Sequence, residues 1–97
     1  MNLSAFTASL DKKQPPKELG IPLQALWWDA KGDWNKAHEC AQQEEDTSPG
    51  QWVHAYLHRK EGDPSNAKYW YTRCGKKPSK DTLEEEWRNI ASALLGK

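Results

Sequence analysis

The feature that most constrains this chain is an internal echo. The stretch Ala25–Gln42, ALWWDAKGDWNKAHECAQ, returns in skeleton at Ala55–Thr72, AYLHRKEGDPSNAKYWYT, with Ala25/Ala55, Gly32/Gly62, Asp33/Asp63 and Ala37/Ala67 each 30 residues apart. A fixed period of this length marks a repeated supersecondary unit. Each Gly-Asp pair reads as a joint between two helices: glycine ends one in the left-handed conformation, and aspartate caps the next. The signal concerns architecture more than chemistry.

The elements follow from these punctuation marks. Pro22 suits a first helical turn, so a helix is predicted from there to about Lys31. Its apolar residues Leu23, Ala25, Leu26, Trp27, Trp28 and Ala30 cover most of the circumference, so it must be covered on more than one side. Asp33 caps a second helix, Trp34 to about Glu45, with Trp34, Ala37, Ala41 and Glu44 on one face. The small alanines let a neighbour approach closely, which predicts an antiparallel hairpin. Ser48-Pro49-Gly50-Gln51 has the form of a capping box for a third helix to about Glu61. Asp63 and Pro64 open a fourth, with Ala67, Trp70, Tyr71 and Cys74 in helical register and Gly75 as its stop. After GKKPSK, Asp81 and Glu84 read as a cap pair for a last helix, Thr82–Leu95, striped by Leu83, Trp87, Ile90 and Leu94. No alternating β-branched run occurs. The expected class is therefore all-α, with about five helices: two hairpins and a C-terminal capping helix over residues 21–97 as one domain. Residues 1–20 carry a weak stripe of Leu3, Phe6 and Leu10, with Ser4 as a candidate cap, then a proline-rich linker; they read as a tail or a short docked helix.

Composition matters at two points. The apolar fraction is 36%, yet six Trp and three Tyr stand among 97 residues, which calls for an aromatic-heavy core. Net charge is zero, which argues against a nucleic-acid or membrane-surface partner held by bulk charge. Charge is nonetheless polarised: Asp29–Asp46 holds six acids and two lysines, whereas Arg59–Lys80 holds seven bases and two acids. Either the halves complement each other or the second offers a basic patch to an acidic partner. Cys40 and Cys74 lack CxxC spacing, and neither a secretory leader nor a membrane span is legible. The chain reads as cytoplasmic with free thiols rather than a Cys40–Cys74 disulfide.

Catalytic and metal motifs are sparse. His54 and His58 stand at i, i+4, a spacing able to grip a metal, but His38 and Cys40 lie in another helix and no HExxH occurs. They read as solvent-edge histidines, so no metal and no cofactor are expected. Cys74 occupies a small-residue packing position. Glycine-rich phosphate loops and serine nucleophile motifs are absent, and the acids fall at caps and charged faces. The expectation is a non-enzymatic protein. Trp34, Trp70, Tyr71 and Trp87 fit packing stripes, whereas in Trp27/Trp28 and Tyr69/Trp70 one member must turn toward an edge or a partner.

The second copy, WVHAYLHRKEGDPSNAKYWYTRCGKKP, resembles a tetratricopeptide or Sel1-type helical repeat at Ala55, Gly62-Asp63, Ala67, Tyr71, Cys74 and Pro78. The first copy matches at Ala25, Gly32-Asp33 and Ala37 and departs at Ala41 and Glu44. The period is also shorter than the typical length of about 34. The whole chain, through ALWWDAKGDW and WVHAYLHRKEGD, is also similar to small bacterial proteins without an assigned activity. The repeat resemblance implies a right-handed helical array with a peptide groove lined by its first helices. Carried over by register, the groove residues are Leu26, Asp29, Trp52, Tyr56, Arg59 and Lys60. Aromatic anchors beside two cations suit an acidic or C-terminal segment of another protein. Three alternatives stand beside it: Trp52 and Tyr56 pack under the last helix, an exposed Trp surface makes a homo-oligomer, or, as the weakest, the chain is a small-molecule- or metal-binding enzyme.

Overall fold

Helix ends explain most of the architecture. The computed structural model describes residues 1–96. It contains α1 (Leu3–Ala8), a 3-10 turn (Ser9–Asp11), α2 (Ile21–Ala30), α3 (Trp34–Gln43), α4 (Ser48–Lys60), α5 (Pro64–Arg73) and α6 (Leu83–Leu94), and no strand among the described residues. At both Gly-Asp joints the glycine takes a left-handed conformation, φ 87° at Gly32 and 90° at Gly62. This lets the Asp33 N–H reach back to the Trp28 carbonyl (3.0 Å) and the Asp63 N–H to the His58 carbonyl (2.9 Å). The same aspartates then cap the following helices, Asp33 accepting from the Lys36 N–H at 3.0 Å and Asp63 from the Asn66 N–H at 3.2 Å. Identical bonds at the same offset show the sequence echo as a structural one at these joints.

Two caps sit one residue away from the expected place. Thr47, not Ser48, caps α4, accepting from the Gly50 N–H at 3.1 Å. The Gln51 amide donates to the Glu45 carbonyl instead of closing a box. The turn from α3 is so tight that a Cβ on Gly50 would lie 2.0 Å from the Glu44 carbonyl oxygen. That approach sets where α4 begins. At α6 the box belongs to Thr82 and Glu85, whose reciprocal bonds of 3.0 and 3.1 Å satisfy two backbone donors, rather than to Asp81 and Glu84.

The N-terminal segment is docked, which makes six α-helices where about five were expected. Asn2, not Ser4, caps α1. Phe6 is fully buried and stacks on Trp87 with ring centroids 5.6 Å apart. The Ser9 hydroxyl accepts the Trp27 indole N–H at 3.1 Å, and Lys31 Nζ donates to the Leu10 and Lys12 carbonyls. Neighbouring helices pack as α2 on α3 and α4 on α5, α3 also meets α4, and α6 lies across α2 and α4. Ala37 and Ala41 are fully buried, so they permit close contact between helices. The main core gathers Phe6, Leu26, Trp27, Leu57 and Ile90; a smaller one under α5 gathers Ala55, Ala67, Trp70 and Tyr71. Indole N–H groups brace the packing: Trp34 donates to the Leu57 carbonyl (2.9 Å) and Trp87 to the Leu26 carbonyl (3.0 Å). Among the described residues no helix is long and apolar enough to cross a membrane.

Because Phe6 is a core residue, Phe6→Ala should cost about 3–5 kcal/mol in urea denaturation. A loss of only a few tenths would show that the segment contributes little to the core.

Candidate functional site

The six residues assigned to a groove do not form one open surface. Leu26 is fully buried, and Tyr56 and Asp29 are 2% and 3% exposed. α6 packs against α4. Asp29, Tyr56 and Lys60 do converge on a shallow depression of about 290 Å³ that Trp87 and Leu83 of α6 also line. Trp52 is half-buried elsewhere, packed against both cores.

The two cations are each paired with a buried carboxylate of the same chain. Lys60 Nζ donates to Asp29 Oδ1 at 3.0 Å, and the Tyr56 hydroxyl donates to Asp29 Oδ2, also at 3.0 Å. Arg59 donates to Glu86 Oε1 at 2.7 Å and to the Asp81 carbonyl, while the Tyr71 hydroxyl donates to Glu86 Oε2 at 2.5 Å. Asp29 and Glu86 are almost fully buried. A buried carboxylate is tolerated only when paired and hydrogen-bonded, and consecutive residues of α4 supply a cation to each. Burial first, and then the neighbouring carboxylate, push the Tyr56 and Tyr71 hydroxyls well above the usual phenol range. These hydroxyls act as donors, not bases.

Of the exposed cations without an ion-pair partner among the described residues, Lys68, Arg73, Lys76, Lys77 and Lys80 cluster in sequence along α5 and the turn after it, while Lys12, Lys13, Lys17, Lys31, Lys36 and Arg88 are spread over the rest of the chain. Arg73 stands over the rings of Trp70 (4.9 Å) and Tyr69 (5.8 Å), and Lys76 over Trp52 at 4.1 Å. Tyr69 is 54% exposed while Trp70 is buried. In the other adjacent pair Trp27 is buried and Trp28 half-buried under Lys36. No tryptophan is exposed.

The histidines are not at a solvent edge. His54 and His58 are 3% and 7% exposed, and His38 on α3 is half-buried against them. One ring nitrogen of each lies within 4.8 Å of one on each of the others. His38 Nε2 and His54 Nε2 are 3.0 Å apart, so one donates and the other accepts. His58 Nδ1 donates to Glu61 Oε2 at 2.6 Å, and His58 Nε2 faces the Asn66 amide nitrogen at 3.4 Å. His54 Nδ1 is buried without a partner. Trp34 stacks on His38 and Trp70 on His54, with centroids 4.8 and 4.0 Å apart. Burial, then the charges of His38, His58 and Arg73, hold His54 down to about 4; burial and His58 also lower His38. The i, i+4 spacing of His54 and His58 was a visible signal, whereas the approach of His38 depends on how α3 meets α4.

Cys40 and Cys74 are free and half-buried. Burial raises both thiols, assisted at Cys40 by Glu39, which is the reverse of what activates a nucleophile.

Removing Glu86 leaves Arg59 and the Tyr71 hydroxyl without their acceptor. Glu86→Ala should cost about 3–5 kcal/mol, against no more than about 0.5 for the exposed Glu84→Ala. Equal losses in urea titrations would contradict the pairing. The unfolded chain protonates His54 below the ordinary value of 6.5, whereas the folded chain resists until about 4. The stability this group contributes is therefore fully present above pH 6.5 and falls as the pH drops toward 4. The urea midpoint should fall between pH 7 and pH 5, and His54→Leu should flatten that dependence; a slope unchanged by the substitution would refute it.

No family model, no curated protein and no solved structure matches the chain.

Proposed function

We propose that this protein is a non-enzymatic interaction module of the tetratricopeptide-like kind, which captures an acidic segment of another protein on the face formed by α5 and the turn after it. The architecture that supports the reading is a pair of helix–turn–helix units with matching Gly-Asp joints, closed by α6. Arg59 and Lys60, which the repeat register placed in a groove, neutralise Glu86 and Asp29 inside the fold. The densest run of exposed cations without an ion-pair partner among the described residues is that of α5 and the turn after it.

One observation carries the proposal: Arg73 and Lys76 are held over aromatic rings and have no carboxylate partner among the described residues. A cation resting on a ring is already partly ordered, so less freedom is lost when a carboxylate docks on it. The exposed Tyr69 beside them adds an amphipathic contact of the type common at interfaces.

The direct test uses a fluorescein-labelled glutamate-rich peptide with Leu and Phe interspersed, followed by anisotropy, beside quantitative capture of partners from lysate. Arg73→Glu with Lys76→Glu should weaken peptide binding at least about tenfold, and wild-type affinity should fall with added salt. Losing the two cation–π contacts should cost about 0.5–1 kcal/mol each, and helical circular dichroism should be retained. Unchanged peptide affinity and an unchanged set of captured partners would overturn the proposal.

A further inference from the structure

We infer that His38, His54 and His58 form a binding site for a divalent transition-metal cation, with zinc the best-matched ion. All three histidines of the chain sit in this one cluster, drawn from two helices. His54 and His58 project from the same face of α4 because they are four residues apart, and α3 delivers His38 to them. Nitrogens bound about 2.0–2.1 Å from a tetrahedral zinc stand about 3.3–3.4 Å from each other. The His38 Nε2–His54 Nε2 separation of 3.0 Å is within a few tenths of that edge, and the third ring is within reach.

The surroundings fit ligands better than ordinary packing. His58 gives its Nδ1 proton to Glu61, which leaves the Nε2 lone pair available; a carboxylate behind a metal-binding imidazole is the usual outer support. The Asn66 contact to that Nε2 is 3.4 Å, long enough to yield to a metal. His54 is nearly fully buried, yet its Nδ1 has no partner and its Nε2 faces another imidazole. The protein's own groups leave this ring's bonding capacity unmet. Trp34 and Trp70, stacked on His38 and His54, hold both rings in orientation. Glu61 and Glu39 contribute negative charge near the site, and Arg73 opposes them from α5.

Three neutral imidazoles select zinc, nickel, cobalt or copper over magnesium and calcium, which prefer oxygen. They leave one tetrahedral position for water. The second grouping nearby, His58 with Glu61 and Asp63, does not compete, because Asp63 caps α5 and Glu61 already holds His58.

The test uses the whole protein stripped with EDTA and titrated with zinc chloride at pH 7.5. Calorimetry should show one ion per chain with Kd on the order of 1 μM or tighter, and the melting temperature should rise with zinc but not with magnesium. Long-range 1H–15N spectra of the wild-type protein should show all three imidazoles shifting together. His38→Gln and His58→Gln should each weaken binding by at least about a hundredfold, and Glu61→Gln by about 10–100-fold, with helical circular dichroism retained. The wild-type spectra need no substitution, so a variant that fails to fold leaves the test intact. Absence of a stoichiometric heat with unshifted imidazole resonances would overturn the inference, as would binding that survives both histidine substitutions.

Discussion

Two carboxylates buried in a small helical protein set the terms for everything around them. Asp29 on α2 and Glu86 on α6 lie almost out of water, and both are answered from α4: Tyr56 and Lys60 reach Asp29, and Arg59 reaches Glu86 beside Tyr71 of α5. Unpaired, each would oppose folding strongly; paired, each ties α4 to another helix at a defined register. α4 is accordingly the most buried helix, with even His54, His58 and Gln51 withdrawn from solvent.

This arrangement decides where function can reside. α6 lies on α4 and α2, and Arg59 and Lys60 on that side are each paired with a buried carboxylate. The surface still offers the shallow depression at Asp29, Tyr56 and Lys60, and the aromatic and cationic face of α5. The histidine cluster sits at the junction of α3, α4 and α5, where Trp70 is both the stacking partner of His54 and the ring beneath Arg73.

Much of the fold was legible because it is written locally. Gly32 and Gly62 had to end helices, Asp33 and Asp63 had to cap the next ones, and Ala37 and Ala41 marked close helix contact; all of these hold. The cap shifts at Thr47 and Thr82 were illegible because neighbouring residues offer equivalent oxygens, and only the approach of Gly50 to Glu44 or the reciprocal Thr82–Glu85 bonds choose between them. The docking of α1 is illegible in the sequence because Phe6 acquires its meaning only from Trp87, far along the chain. The same holds for His38. Its spacing to His54 carries no motif, and the cluster exists only once α3 is laid on α4.

α6 closes permanently over α4 through the Glu86 network. Native-state hydrogen exchange tests it most directly. Amides from Trp87 to Ala91 should exchange only with global unfolding, at the same free energy as the centre of α4. Exchange of those α6 amides through a low-energy opening, while α4 stays protected, would contradict the claim and return the α4 side to solvent as a usable groove.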